Sequence, residues 1–84
     1  MKNKTLFNIR LSAVNKSFEM WIPNELSVYE ATKLTIGILQ DQEQRWYEAS
    51  KSTSLYVEES GEELDINKFV GDYNFVDGTE LVLV

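Results

Sequence analysis

Two alternating segments close together in the chain constrain its fold more than anything else. In Thr5-Leu6-Phe7-Asn8-Ile9-Arg10-Leu11 the residues Phe7, Ile9 and Leu11 share one face, and in Ser17-Phe18-Glu19-Met20-Trp21-Ile22 so do Phe18, Met20 and Ile22. Strict alternation marks strands with one buried side, and a gap of only a few residues leaves an antiparallel hairpin as the simple connection. Matching the inward faces pairs Leu11 with Phe18, Ile9 with Met20 and Phe7 with Ile22. That register sets Arg10 opposite Glu19 on the outer face, a favourable cross-strand pair. Ser12 to Lys16 is the loop, and Asn15 tolerates turn geometry.

Pro23 removes a ladder donor and ends the second strand. Ser27-Val28-Tyr29-Glu30 reads as a capping box, with the serine hydroxyl accepting from the Glu30 amide and the Glu30 carboxylate reaching back. The helix it opens runs to about Gln40 and presents Val28, Ala31, Leu34, Thr35, Ile38 and Leu39 on one broad face. Tyr29 and Ile36 lie off that face. The polar stretch from Asp41 to Thr53 carries Trp46 and Tyr47, for which two readings stand: they fold back over Tyr29 and Ile36, or they form an exposed contact for a partner. Ser54 to Val57 reads as a third strand, Glu63-Leu64-Asp65 as a very short one, and Asp65 to Val70 as a turn or a single helical turn. After the Asp77-Gly78 turn, Glu80 to Val84 alternates, with Leu81 and Leu83 inward and Val82 and Val84 outward.

One helix across a mixed, mostly antiparallel sheet gives two layers around one core. Placing the last strand centrally, beside the first, buries its leucines best, and that arrangement is a β-grasp. The expected class is α+β, with a four- to five-stranded mixed sheet on one main helix and residues 1–84 as a single domain. At 84 residues, 43% hydrophobic and 26% charged, the composition is that of a globular domain.

Composition also narrows function. Cysteine and histidine are absent, which removes disulfides, thiolate chemistry, the commonest general base and the commonest metal ligand. A net charge of −6 with no basic stripe argues against nucleic acid and against anionic membrane surfaces. No apolar run is long enough to span a bilayer, and a cytoplasmic location is expected. The acidic run Glu58, Glu59, Glu62, Glu63 and Asp65 lacks the spacing of a calcium loop and reads as a solvated loop that discourages edge association. No enzymatic activity, cofactor or metal is expected.

The stretch Gly71-Asp72-Tyr73-Asn74-Phe75 through Leu81-Val82-Leu83 resembles the closing segment of ubiquitin-like proteins, including the Asp-Tyr-Asn loop. That resemblance implies that the Tyr73 side chain braces the loop against backbone groups. Phe18-Glu19-Met20-Trp21-Ile22-Pro23 leading into the capped helix, with Leu64 to Leu83, is similar to the YukD/EsaB family, ubiquitin-like proteins encoded with type VII (WXG100, Ess-type) secretion systems. The connector around Trp46 and Tyr47 departs from that pattern. Conjugated modifiers and sulfur carriers finish on a flexible Gly-Gly tail, whereas this sequence stops at Val84 within the strand, so conjugation and sulfur carriage are not expected.

Strand parity places Leu6, Trp21, Tyr56, Val82 and Val84 on the sheet face away from the helix. Scattered surface apolar residues are ordinary. Five on one open face, including a tryptophan and a tyrosine, read as a partner-binding patch. The resemblance implies a non-catalytic accessory protein that docks on a cytoplasmic part of a type VII machinery or on its regulator. A homodimer through the same patch, a modifier or sulfur carrier, and an interaction protein unrelated to secretion are the alternatives.

Overall fold

The computed structural model describes residues 3–12, 16–42 and 54–84. Trp46 and Tyr47 lie outside them, as do Ala13, Val14 and Asn15 of the hairpin loop. Strands β1 (Lys4–Leu11), β2 (Lys16–Pro23), β3 (Leu55–Val57) and β4 (Thr79–Leu83) form a sheet in the order β2-β1-β4-β3. β1 pairs antiparallel with β2 and parallel with β4, and β3 pairs antiparallel with β4. Helix α1 (Val28–Gln42) carries the apolar face that closes the second layer. This is the α+β β-grasp that the alternation implies, with the final strand central. No helix among the described residues is long and apolar enough to cross a membrane.

The hairpin register differs from the sequence expectation. Phe7 pairs with Met20 and Ile9 with Phe18, so Asn8, not Arg10, stands opposite Glu19. The slip is two residues, which leaves every side chain on its expected face and so costs no burial. It brings Leu11 opposite Lys16. Glu63-Leu64-Asp65 is likewise shorter than expected, a single bridge from Glu63 to Tyr56. A return loop, not a full strand, therefore covers the outer edge of β3: Val57 donates to the Glu62 carbonyl at 2.8 Å and Leu64 to the Leu55 carbonyl at 2.9 Å.

The capping box at α1 forms in both directions. The Glu30 amide donates to Ser27 Oγ at 3.0 Å, and the Ser27 amide donates to Glu30 Oε1 at 3.1 Å. Two donors with no partner inside the helix are thereby satisfied, and a carboxylate sits at the positive end of the dipole. The buried stripe of α1 keeps Val28, Ala31, Thr35 and the half-buried Ile38 of the expected face. It adds Thr32 and Ile36 and loses Leu34, which is 40% exposed, while the Leu39 side chain lies outside the described residues. Thr32 and Thr35 can face inward because their hydroxyls donate to the Val28 and Ala31 carbonyls at 2.8 and 2.9 Å. Satisfied threonines behave as small apolar residues, and the stripe takes in Ile36 at the expense of Leu34.

Phe7, Ile9, Leu11, Ile22, Leu55, Leu81 and Leu83 are fully buried between the layers. The entry of α1 is tied to the segment before β4. Val28 donates to the Lys68 carbonyl at 2.8 Å, Val70 to Leu26 and Gly71 to Asn24, both at 2.9 Å. A Cβ on Gly71 would stand 3.1 Å from the Asn24 carbonyl oxygen, so a side chain there would have to push back the backbone that accepts the Gly71 amide.

A candidate protein-binding face

The outer face of the sheet is built by one parity class from each strand. β1 contributes Lys4, Leu6, Asn8 and Arg10. Across β2 these meet Pro23, Trp21, Glu19 and Ser17 in turn. Across β4, Asn8 meets Glu80 and Arg10 meets Val82, and beyond Val82 lies Tyr56 of β3. The face is therefore a set of rows at right angles to the strands. Leu6 and Trp21 share one row, while Arg10, Val82 and Tyr56 share another.

Between them runs a polar row of Glu19, Asn8 and Glu80, continued by Glu58, whose amide donates to the Glu80 carbonyl at 3.0 Å. Four residue steps along β1 carry the chain from Leu6 to Arg10, roughly 13 Å at the usual rise of a strand. The five residues expected to form one patch thus form two groups. Leu6 and Trp21 are direct cross-strand neighbours at one end, and Tyr56, Val82 and Val84 lie at the other.

The two groups differ in accessibility. Trp21 is 49% exposed, Leu6 is half-buried, and the Lys4 ammonium sits 5.2 Å from the centre of the indole ring. An aromatic held by a cross-strand leucine and a cation is a preorganised contact. At the other end Val84 is 47% exposed and Tyr56 half-buried, but Val82 is only 8% exposed. Its side chain points outward as parity requires, yet Arg10 reaches over β4 to Glu58. Nη2 and Nε of Arg10 donate to Glu58 Oε1 at 3.0 and 3.2 Å. The arginine stem beside Val82 on one flank and Tyr56 on the other shield its methyl groups. Arg10 and Glu58 were not among the expected site residues. Parity placed Arg10 on this face, but its partner comes from beyond the neighbouring strand, and no local spacing announces that.

Tyr73 is structural, as its family resemblance implies. Its hydroxyl accepts from the Asp65 amide at 2.8 Å, and its ring stacks on Phe75 with centroids 5.1 Å apart. Phe75 in turn meets Phe7 edge-on at 5.5 Å. Asn74 takes the left-handed conformation at φ 54°, which ends the 3-10 turn Val70–Tyr73, and Asp72 accepts from the Phe69 amide at 3.0 Å. The turn residue Gly78, at φ 91°, aims its amide at the Leu6 carbonyl, 2.8 Å away. Asp77 Oδ1 accepts from the Leu6 amide at 3.0 Å. The Asp77-Gly78 turn therefore fixes the backbone under the Leu6–Trp21 group. Glu58, Glu59, Glu62, Glu63 and Asp65 are all exposed.

No model of a known protein family matches the sequence. No curated protein matches it either. Solved structures do match. The ubiquitin-like domain of EccD5 from Mycobacterium xenopi superposes with a TM-score of 0.74 at 12% identity, over 99% of this chain and 94% of that one. The ubiquitin-like domain of the type VII secretion protein ECCD1 from Mycobacterium tuberculosis gives 0.70 at 14% identity, over 99% of each chain. The corresponding domain of Dsk2 from Plasmodium falciparum gives 0.71 at 15% identity, over 96% of each. Identities this low speak to architecture, and the chain has the ubiquitin-like β-grasp fold.

Proposed function

We propose that this protein is a non-catalytic, ubiquitin-like accessory component of a bacterial type VII secretion system, of the YukD/EsaB kind, and that it works by binding a cytoplasmic part of that machinery. The observation that carries the reading is the match, over nearly the full length of both chains, to ubiquitin-like domains of EccD5 and of the type VII secretion protein ECCD1. The resemblance of Phe18 to Pro23 and Leu64 to Leu83 to the YukD/EsaB pattern supports it. The contact surface is the outer sheet face, with Trp21 and Leu6 as anchor and Tyr56, Val82 and Val84 as a second contact beyond the polar row. Trp21 leads because a half-exposed indole beside an apolar neighbour gains most from being covered.

Complementation tests this reading. In a host that carries the system, deletion of the gene should reduce or deregulate secretion, and the wild-type chain should restore it. Trp21→Glu should fold normally, because the ring lies outside the core, yet fail to restore secretion. Normal secretion in the deletion strain would remove the system from the account. Full rescue by Trp21→Glu would remove the surface.

A further inference from the structure

The two edges of the sheet are treated differently. The β3 edge is covered by the return through Glu62, Glu63 and Leu64. Strand β2 forms the other edge, and among the described residues no strand pairs with its outer side. Its hydrogen-bond phase follows from the Asn24 amide, which donates to the Asn3 carbonyl at 2.9 Å. That makes Asn3–Asn24 a hydrogen-bonded pair, and alternation extends the pattern to Thr5–Ile22, Phe7–Met20, Ile9–Phe18 and Leu11–Lys16. The Ser12 and Leu6 amides, which point to the β4 side, agree with that phase.

Consequently Ser17, Glu19 and Trp21 direct their amide and carbonyl groups away from the sheet. Pro23 falls in the same class, at the one kind of position where a missing N–H costs no ladder bond. Open edges of eight residues are usually blunted by bulges, by proline or by charged side chains, lysine above all. Here pairing runs unbroken from Lys4–Pro23 to Leu11–Lys16, the lysine and proline stand only at the two ends, and Glu19 is the one charge between them.

We infer that the free edge of β2 is a docking site for an extended segment of a protein partner, which adds as a fifth strand and carries a basic residue opposite Glu19. Main-chain bonds to Ser17, Glu19 and Trp21 supply the pairing, and the side chains set the choice. Exposed Glu19 asks for a cation directly across the strand. On the helix side, Phe18 is only half-buried and asks for an apolar neighbour. A second copy is the wrong occupant by charge. Twofold antiparallel pairing centred on Glu19 would set two glutamates opposite each other on chains that each carry −6. The inference rests on this edge alone and stands or falls separately from the secretion reading.

Amide exchange and chemical shifts followed by NMR test it, with end-blocked octapeptides that alternate valine and threonine around one central lysine or glutamate. The lysine peptide should slow exchange of the Ser17, Glu19 and Trp21 amides about tenfold at saturation and leave the already bonded Phe18, Met20 and Ile22 amides little changed. The glutamate peptide should bind at least about fivefold more weakly, and Glu19→Lys should reverse that order. Unchanged exchange at the three amides would overturn the inference. So would protection that grows with protein concentration alone, which assigns the edge to a second copy. Shifts confined to the Leu6 and Trp21 side chains would place the contact on the outer face and would also overturn it.

Discussion

Truncation of Val82 probes how the outer face is covered. A valine pointing into solvent loses almost nothing when cut to alanine, whereas Val82 is 8% exposed despite facing away from the core. Removing its two methyl groups at about 0.8 kcal/mol per buried carbon predicts a loss of about 1–1.5 kcal/mol for Val82→Ala. In a domain of this size that lowers Tm by roughly 5–10 °C. The cover is the Arg10 stem, held across β4 by Glu58 at 3.0 Å, so Arg10→Ala should already have wetted the methyls. Arg10→Ala alone costs about 0.2–1 kcal/mol, as expected for an exposed ion pair. In its background Val82→Ala should cost about half as much, a coupling of about 0.5 kcal/mol. Urea unfolding of the four proteins of the cycle reads these values. A cost for Val82→Ala below about 0.3 kcal/mol, or strict additivity with Arg10→Ala, would refute the shielding argument.

Other substitutions follow from single contacts. Ser27→Ala removes one half of the capping box and should cost about 1 kcal/mol in chemical denaturation, with Ser27→Asp retaining most of the stability. Tyr73→Phe keeps the stack on Phe75 but deletes the acceptor for the Asp65 amide, for a loss of about 0.5–1.5 kcal/mol and faster exchange of that amide. Gly78→Ala forces an L side chain into φ 91° and should cost about 1–2 kcal/mol, read as a Tm decrease, although open space surrounds the added methyl.

The faces of the strands were legible from alternation because period 2 has no competing interpretation, and Phe7, Ile9, Leu11, Leu81 and Leu83 are all buried as read. The register was not legible, since a shift of two residues preserves both faces and only the turn decides it. That slip matters for the site. The expected register sets Trp21 opposite Asn8, and the actual one sets it opposite Leu6, which creates the apolar pair. The helix cap and most of the buried face of α1 were readable, but the edge of that face was not, because back-bonded Thr32 counts as polar by residue type and as apolar by behaviour. Val82 shows the same limit on the sheet: parity gave its direction, while its burial depends on a side chain that crosses a whole strand. Physically, local periodicity encodes which way a side chain points, and long-range partners decide what covers it.

The central claim, a binding module acting through the outer face within a secretion machinery, is tested most directly by quantitative co-purification from cells that express the system. The tagged wild-type chain should enrich type VII machinery proteins over an unrelated ubiquitin-like domain. Trp21→Glu should reduce that enrichment at least about tenfold, as losing an interface anchor of roughly 1.4 kcal/mol or more requires. Glu62→Gln, an exposed change away from the face, should leave it unchanged. No enrichment by the wild-type chain, or equal enrichment by folded Trp21→Glu, would contradict the account.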